Sequence, residues 1–254
     1  MKKTAFTLFF ILIAQFCFSQ VSFVGNPDYG RLRNFVYDKT TPNKIYATSL
    51  IGKYILVSND NGITWNVLYT LPYPEYAPNI LEMRLTNNGT ALSFIEYFGG
   101  GSTFNKVAVY DLQSSAIIKE INIPENESVF SIENYSLFDD GNMNTATMFT
   151  KGDEDKFFTT TDGGLSWNKI YDATDHESVI LNDAIMDPKN PQTLYIVRNG
   201  WPGDEDGGFF KSIDGGTTWT ESLNGLILQS VEVDPIDNNI IYVGSGVRWS
   251  YLDQ

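Results

Sequence analysis

Cysteine and histidine are almost absent from this chain of 254 residues, which contains one of each, Cys17 and His176. Cys17 lies in the apolar N-terminal run, so the rest of the chain has no thiol from which a disulfide framework could form. One histidine without a further cysteine also leaves too few ligands for a conventional zinc site. The fold must therefore depend on an apolar core, and the chain is long enough to build one.

Basic residues are scarce, with 17 lysines and arginines against 31 aspartates and glutamates. This balance disfavours nucleic acids and anionic lipids as partners. The excess of acidic residues is explained either by solubility outside the cell or by the binding of a cation or a basic partner. The chain has no P-loop, dinucleotide fingerprint or zinc spacing, so no cofactor and no metal are predicted. Asp204-x-Asp206 supplies two of the six to eight oxygens that calcium requires.

The N-terminus is typical of a secretory signal peptide. It begins Met1-Lys2-Lys3 and is apolar from Ala5 to Phe18, a run too short to span a membrane comfortably. Small residues at Cys17 and Ser19 predict cleavage after residue 19. Residues 1–19 are then the signal peptide, and residues 20–254 form one domain that is secreted, periplasmic or located at the cell surface. No second apolar run is long enough to predict membrane insertion.

One phrase of eight residues occurs three times, as Ser58–Trp65, Thr160–Trp167 and Ser212–Trp219. Its aspartates lie at positions 60, 162 and 214, and Asp111 marks a fourth, eroded copy halfway across the longer gap. The period is therefore about 51 residues, and a repeat of this length indicates a stacked or radial array of similar units.

The phrase Ser/Thr-x-Asp-x-Gly-x-Thr/Ser-Trp predicts a tight turn between two antiparallel strands. Asp accepts backbone N–H groups across such a turn, Gly adopts positive φ, and Trp buries a large apolar area against a neighbouring unit. A structural role is therefore expected for Asp60, Gly62, Trp65, Asp162, Gly164, Trp167, Asp214, Gly216 and Trp219.

This phrase resembles the Asp-box, or BNR repeat. That motif is found in sialidases, the extracellular domain of sortilin, xyloglucan-cleaving glycosidases and photosystem II assembly factors. The resemblance implies an all-β fold, a β-propeller of four-stranded blades in which the box joins strands three and four. It implies little about function, because the box is a structural turn that usually lies far from the active site.

Short alternating segments support five blades. The predicted blades run from Asn34 to Leu71, Leu81 to Ile123, Ser131 to Ala173, Asn182 to Ser222, and onward from Gln229. A second repeat, a Pro/Asn-rich turn between an aspartate and a tyrosine, begins at Asp38, Asp187 and Asp234. Two closures remain open: Val21–Gly25 completes the fifth blade, for which Val247–Tyr251 is the third strand, or the chain is an arc of a larger propeller.

Binding residues are predicted on the face that carries the loops from strand two to three and from strand four to the next blade, because the repeated turns occupy the other face. Two identical acidic loops lie there, one of them beside Trp201, and aromatic rings next to carboxylates suit a protein or a carbohydrate. The predicted binding residues are Trp201, Asp204, Asp206, Asp153, Asp155, Tyr76 and Phe98.

Two enzyme classes are alternatives to a non-catalytic binding scaffold. A sialidase requires an arginine triad, and the chain lacks the Arg-Ile-Pro signature of that family. A glycoside hydrolase of the xyloglucan-cleaving kind requires two carboxylates about 6.5–9.5 Å apart for inversion. Asp183 is the candidate for one of them, with Asp28 or Asp206 as its partner.

Overall fold

The computed structural model describes residues 29–50, 52–73, 78–99, 105–125, 127–172, 180–200, 207–234 and 236–246. The predicted signal peptide, the proposed closing segment Val21–Gly25 and the proposed strand Val247–Tyr251 lie outside these residues. Among the described residues, no helix is long and apolar enough to span a membrane.

Segments with alternating apolar residues form eighteen strands in the described part of the chain. One 3-10 turn, at Asn87–Gly89, follows the fifth strand. The strands are β1 (Leu32–Tyr37), β2 (Ile45–Ser49), β3 (Tyr54–Ser58), β4 (Asn66–Thr70), β5 (Asn79–Thr86), β6 (Ala91–Tyr97), β7 (Lys106–Asp111), β8 (Ala116–Asn122), β9 (Val129–Leu137), β10 (Ala146–Gly152), β11 (Lys156–Thr160), β12 (Asn168–Asp172), β13 (Ile180–Asp187), β14 (Asn190–Asn199), β15 (Gly208–Ser212), β16 (Thr220–Ser222), β17 (Leu228–Val233) and β18 (Ile241–Ser245).

These strands form successive antiparallel sheets in chain order. Within the described residues, β1–β4, β5–β8, β9–β12 and β13–β16 each form a four-stranded sheet, and β17 and β18 form a two-stranded one. The predicted bounds of the first four blades and the start of the fifth agree with these sheets to within two residues, and two strands of the fifth blade lie in the described residues. Trp65, Trp167 and Trp219 each lie one residue before the start of β4, β12 and β16.

Apolar side chains fill the space between each blade and the next. Tyr46 of the first blade and Phe94 of the second share one cluster of buried residues. Corresponding clusters join the second blade to the third, the third to the fourth and the fourth to the fifth. Sheets packed face to face around a common channel make the fold a β-propeller.

The three repeated turns share one hydrogen-bond pattern. In the first, Asp60 Oδ1 accepts the backbone N–H of Thr64 at 2.8 Å, and Oδ2 accepts its hydroxyl at 2.5 Å. The Ser58 hydroxyl donates to the same carboxylate and accepts the N–H of Gly62. The turns at Asp162 and Asp214 repeat every one of these bonds. The predicted turn geometry is therefore present in all three copies.

The fourth, eroded copy forms a different turn. Asp111 Oδ2 accepts the backbone N–H of Ser114, three residues later, instead of the fourth residue as in the other copies. β7 and β8 are therefore joined by a tighter connection, without the Gly and the Trp of the full phrase.

The second glycine of the turn fits against the preceding blade. Gly164 and Gly216 have φ of 88° and 91°, and a Cβ atom on them would lie 2.7 Å from Ile121 and 2.9 Å from Ile170. Those isoleucines belong to β8 and β12, the outer strands of the preceding blades. Glycine is required here both for its backbone conformation and for this close approach.

Two of the three copies of the aspartate–tyrosine repeat are hydrogen-bonded in the same way, whereas in the copy at Asp187 the carboxylate accepts Asn238 Nδ2 at 2.8 Å. Asp38 Oδ1 accepts the N–H of Thr40 at 2.9 Å, and its Oδ2 accepts the Tyr46 hydroxyl at 3.3 Å. Asp234 repeats this with the Tyr242 hydroxyl at 3.0 Å. Tyr46 is fully buried by the second blade, whereas Tyr242 is 56% exposed on the fifth. The tyrosine of this hydrogen-bonded pair is therefore accessible to solvent in the fifth blade, whereas it is buried in the first.

Acid should weaken the repeated turns. Hydrogen bonds from Thr64, Ser166 and Thr218 hold the pKa values of Asp60, Asp162 and Asp214 at about 2, below the usual 3.8. Because the folded-state pKa is depressed, this stabilisation is complete above pH 3.8 and is lost as the pH falls towards about 2. Urea unfolding followed across that range should show a steep loss of stability.

The triple variant Asp60→Asn, Asp162→Asn, Asp214→Asn should have a flatter pH dependence in the same measurement. Asp153→Asn, which changes an exposed carboxylate outside these turns, is the matched control. An unchanged slope in the triple variant would contradict this role of the turns.

Candidate binding site

Hydrogen bonds between blades surround the channel, at bulges in the first strand of each blade. The register of β1, β5, β9, β13 and β17 shifts in each strand. A bulge leaves backbone groups without a partner in the ladder. In β1, Asn34 Nδ2 donates to the Ile80 carbonyl of the next blade at 3.3 Å. Asn182 Nδ2 of β13 donates to the Leu228 carbonyl at 2.6 Å.

Arg84 connects the second blade to the third. Its Nη2 donates to Asn134 Oδ1 at 2.6 Å, and its Nη1 donates to the Tyr135 carbonyl. The guanidinium also lies over the Tyr135 ring, 5.0 Å from its centroid, and 3.7 Å from the Glu82 carboxylate. Arg84 is therefore engaged on several sides by residues of its own and the next blade.

Asp183, the predicted catalytic candidate, connects three blades. Its Oδ1 accepts Asn134 Nδ2 at 2.6 Å and the backbone N–H of Ala184 at 2.9 Å. Its Oδ2 accepts the N–H of Val231 in the fifth blade at 3.0 Å. Both oxygens are thus committed to holding blades together. The two partners predicted for it, Asp28 and Asp206, lie outside the described residues.

A cavity of about 890 Å³ occupies the channel. The first strands of all five blades bound it, from their C-terminal halves into the turns that follow. It therefore opens on the face that carries the turns between strands one and two. One group of its lining residues is apolar and contains one residue from each blade: Tyr37, Leu85, Leu137, Met186 and Val233.

The channel also contains charged groups. Arg84 and Glu232 both line the cavity. Glu232 is exposed at the cavity surface, and the protein atoms around it remove part of its hydration and raise the pKa of its carboxyl, with Arg84 opposing this rise and Asp183 and Glu82 adding to it. In the described part of the chain, Glu232 has neither a hydrogen bond nor an ion pair. It is thus a carboxylate that the fold does not use for its own connections.

The mouth of the channel carries Lys39, Asn88, Asp139 and Lys189. Asn88 donates its backbone N–H to Asp139 Oδ2 at 2.8 Å, and Lys189 Nζ donates to the Ile236 carbonyl. Both lysines are exposed. The entrance therefore combines solvated cations with one carboxylate that is bonded to the backbone.

The opposite face, predicted to bind, is described only in part. Trp201, Asp204, Asp206, Tyr76 and His176 lie outside the described residues. Phe98 packs edge-on against Tyr73, with ring centroids 4.8 Å apart. Asp153 is exposed, whereas Asp155 is paired with Lys151 at 2.5 Å and accepts the N–H of Leu181. Of the predicted residues that are described, Asp153 alone has an exposed side chain.

A buried ion-pair network lies beneath this face in the second blade. Lys106 Nζ is 2.6 Å from Glu120 and 3.6 Å from Glu96, whose side chain is 2% exposed. The Tyr73 hydroxyl donates to Glu96 at 3.3 Å. Burial raises the pKa of Glu96, and Lys106 opposes this rise. No group of three histidine, cysteine, aspartate or glutamate residues suited to a metal ion occurs among the residues that the structure describes.

Comparison with known proteins gives the fold. No family model and no curated protein matches the chain. YCF48 bound to a D1 peptide is similar at 17% identity and a TM-score of 0.55, over 84% of this chain and 63% of its own. An ancestral GH74 enzyme is similar at 15% identity and a TM-score of 0.59, and the match covers 88% of this chain and 30% of the enzyme. YCF48 from Cyanidioschyzon merolae is similar at 14% identity and a TM-score of 0.56, and the match covers 83% of this chain and 63% of that protein.

These neighbours are β-propellers, and at such identities the likeness concerns the fold alone. The chain spans 63% of the length of each YCF48 structure and 30% of the GH74 enzyme.

Sequence reasoning missed the channel residues Glu232 and Tyr37. A signal for Glu232 existed, because Asp234 and Tyr242 are one copy of the aspartate–tyrosine repeat, which fixes the strand on which Glu232 lies. Arg84 lies one blade period after Arg33 on a first strand, a spacing that allows both to point towards the channel, whereas Tyr37 carries no comparable mark.

Removing the Asp183 carboxylate should destabilise the protein. Asp183→Ala leaves the Asn134 amide and the Val231 N–H without their acceptor, which should lower the free energy of unfolding by about 2 to 3 kcal/mol. Urea unfolding at neutral pH measures this. Asp153→Ala, at an exposed position, should change it by less than about 0.5 kcal/mol. Equal stability of the two variants would show that Asp183 does not connect the blades.

Two lysines at equivalent strand starts should differ in importance. Lys106→Met leaves the buried Glu96 uncompensated and should cost about 3 kcal/mol. Lys156 starts β11 and pairs with Glu127, whose side chain is 25% exposed, so Lys156→Met should cost less than about 1 kcal/mol. Thermal and urea unfolding of the pair measure the difference. Equal losses would contradict the assigned burial of Glu96.

Proposed function

We propose that this chain is a non-catalytic binding propeller that recognises a segment of another protein at the mouth of its channel. The observation that carries this is the cavity of about 890 Å³ bounded by all five blades. It joins an apolar wall to a few charged groups, which is the usual composition of a binding site. Phe35 and Tyr37, 44% and 65% exposed, offer rings at its edge. That a propeller of similar fold, YCF48, is bound to a D1 peptide supports a protein segment as the ligand.

The opposite loop face is a second surface for the same function. Trp201, Asp204 and Asp206 remain predicted binding residues there, with a protein or a carbohydrate as partner. Asp155 is less suited to this role, because Lys151 already neutralises it. The described geometry favours the channel mouth, where aromatic and charged groups border one concave space.

A glycoside hydrolase is the second candidate. The observation in its favour is that Glu232 lines the channel with a raised pKa, as expected of a general acid, and senses the charge of Asp183. Against it, both Asp183 oxygens accept hydrogen bonds from neighbouring blades. A second carboxylate free to act as base or nucleophile is required for this chemistry.

The compartment and the family also belong to this proposal. The predicted signal peptide supports export from the cytoplasm. The shared hydrogen bonds of the three repeated turns support membership of the Asp-box group of propellers, to which sortilin-like domains belong.

Selection from a phage-displayed random peptide library, with the protein as bait, tests the function. Enriched peptides are then measured by fluorescence polarisation. Tyr37→Ala should weaken binding about tenfold or more, because exposed aromatic residues beside a pocket dominate such contacts. Phe130→Ala, an exposed aromatic residue of β9 outside the cavity, should leave binding unchanged.

A loss of binding in Trp201→Ala but not in Tyr37→Ala would move the site to the loop face. Absence of enriched peptides, together with release of reducing ends from xyloglucan or other β-glucans that Glu232→Gln abolishes, would replace binding by hydrolysis.

A further inference from the structure

The fourth blade is covered less completely by the next blade than the first and third blades are. Phe209 of β15 is half-buried and Ser222 of β16 is exposed. The residues at the same distances from the aspartate of their own repeated turns are fully buried in place of Phe209 and half-buried in place of Ser222. These equivalents are Ile55 and Phe157 for Phe209, and Leu68 and Ile170 for Ser222.

An open groove of about 340 Å³ borders the outer strands of the fourth blade. Phe209 pairs with Ser222 across the ladder, and Lys211 pairs with Thr220. Because residues two positions apart in a strand share a face, these pairs form one continuous wall of the groove. No described residue lines both this groove and the cavity of the channel. The groove is lined by Phe209, Lys211, Ile213, Thr218, Thr220 and Ser222.

At two other boundaries, the third strand of the following blade fills the corresponding space. Ala108 of β7 belongs to the same buried cluster as Ile55, and Phe210 of β15 belongs to the cluster of Phe157. The fifth blade has two strands in the described part of the chain, and Phe209 shares its cluster with residues of both. The groove therefore lies at the position of a third strand.

The outer edge of β18 has no partner strand among the described residues. The Asp234 N–H donates to the Ile240 carbonyl at 2.9 Å, and hydrogen-bonded pairs alternate along an antiparallel ladder. In the register of β17 and β18, the backbone groups of Ile241 and Val243 therefore point away from β17. β18 contains neither a charged residue nor a proline, the usual protections of an exposed edge against pairing with another chain.

The end of β18 restricts how this chain could supply the missing strand itself. The Gly246 N–H donates to the Ile227 carbonyl at 3.3 Å, so the two-stranded ladder extends to residue 246. Hairpin loops usually contain two or more residues, and a return that starts at Val247 leaves none. This geometry favours a strand from another molecule at the free edge.

We propose that a partner protein adds an extended segment to the outer edge of β18, as the third strand of the fifth blade. The backbone of this segment bonds to Ile241 and Val243, and its alternate side chains face the groove. The segment carries an aromatic residue beside Phe209, as β15 carries Phe210 beside Phe157. This second site is separate from the channel and goes beyond the proposed function.

The probe is a fluorescein-labelled peptide with the sequence of residues 206–214, which contains the third strand of the fourth blade. Ile196, the equivalent of Val243, pairs with Phe210 in that blade. N-methylation of the Phe210 nitrogen of the peptide should weaken binding about tenfold or more, because it removes a hydrogen bond to β18. N-methylation at Lys211, whose N–H points to the opposite edge, should leave binding unchanged. Fluorescence polarisation measures both.

A variant of the groove tests the packing of side chains. Ser222→Arg should weaken peptide binding about tenfold or more, because its long charged side chain fills the groove. Gln113→Arg adds the same charge at an exposed turn outside the groove and should leave binding unchanged. The far-UV circular dichroism and the unfolding curves of both variants establish that they are folded.

Hydrogen exchange tests the edge directly. The amides of Ile241 and Val243 should exchange rapidly in the free protein and more slowly with the peptide bound. Slow exchange in the free protein would show that this chain or a second copy already pairs with the edge, and would overturn the proposal.

Three further results also overturn the proposal: no binding of the unmodified peptide at millimolar concentration, equal binding of the two N-methylated peptides, and binding that survives Ser222→Arg. Each of them leaves the proposed function at the channel mouth intact, because the two sites have separate lining residues.

Discussion

Burial of each blade by the next is the interaction on which the rest of this structure depends. The second strands are buried along most of their length on both faces, as β2 and β6 show. Neither face of such a sheet is stable in water, so each blade requires a neighbour on both sides. The repeated turns serve this requirement: their glycines allow contact with Ile121 and Ile170 of the preceding blade. The carboxylate bonds of Asp162 and Asp214 keep those turns in place.

Near the channel axis, hydrogen bonds rather than apolar contacts join the blades. The first strands are bulged, and each bulge leaves backbone groups that must find partners elsewhere. Asp183 accepts the Val231 N–H across the boundary between the fourth and fifth blades, and Arg84 donates to the Tyr135 carbonyl across the boundary between the second and third. The side chains of Asn134 and Asp183 bond to each other across the boundary between the third and fourth blades. Most polar groups of the channel are therefore part of the scaffold. This explains why a carboxylate near the channel, such as Asp183, is weak evidence for catalysis.

The fold was predictable because its determinants are local. Asp60, Asp162 and Asp214 bond to residues four positions away, so one short phrase encodes the whole turn and repeats at the period of the blade. Strand ends were less accurate where long first strands, such as β13, extend past the bulge and remain paired with the second strand of the same blade. The bulges themselves were not predicted, because they depend on contacts between residues about 50 positions apart, such as Asn134 with Asp183.

The candidate site was less predictable for a related reason. Sequence repeats identify what the blades have in common, and what they have in common is packing. Val36 and Ile185 follow that rule, since each is placed where an aliphatic side chain joins two blades. Glu232 occupies the corresponding place in the fifth blade, where its side chain is exposed instead of packed between two blades. A residue that departs from the repeat therefore escapes a prediction built on what the blades share, and only the three-dimensional structure shows that Glu232 lines the cavity.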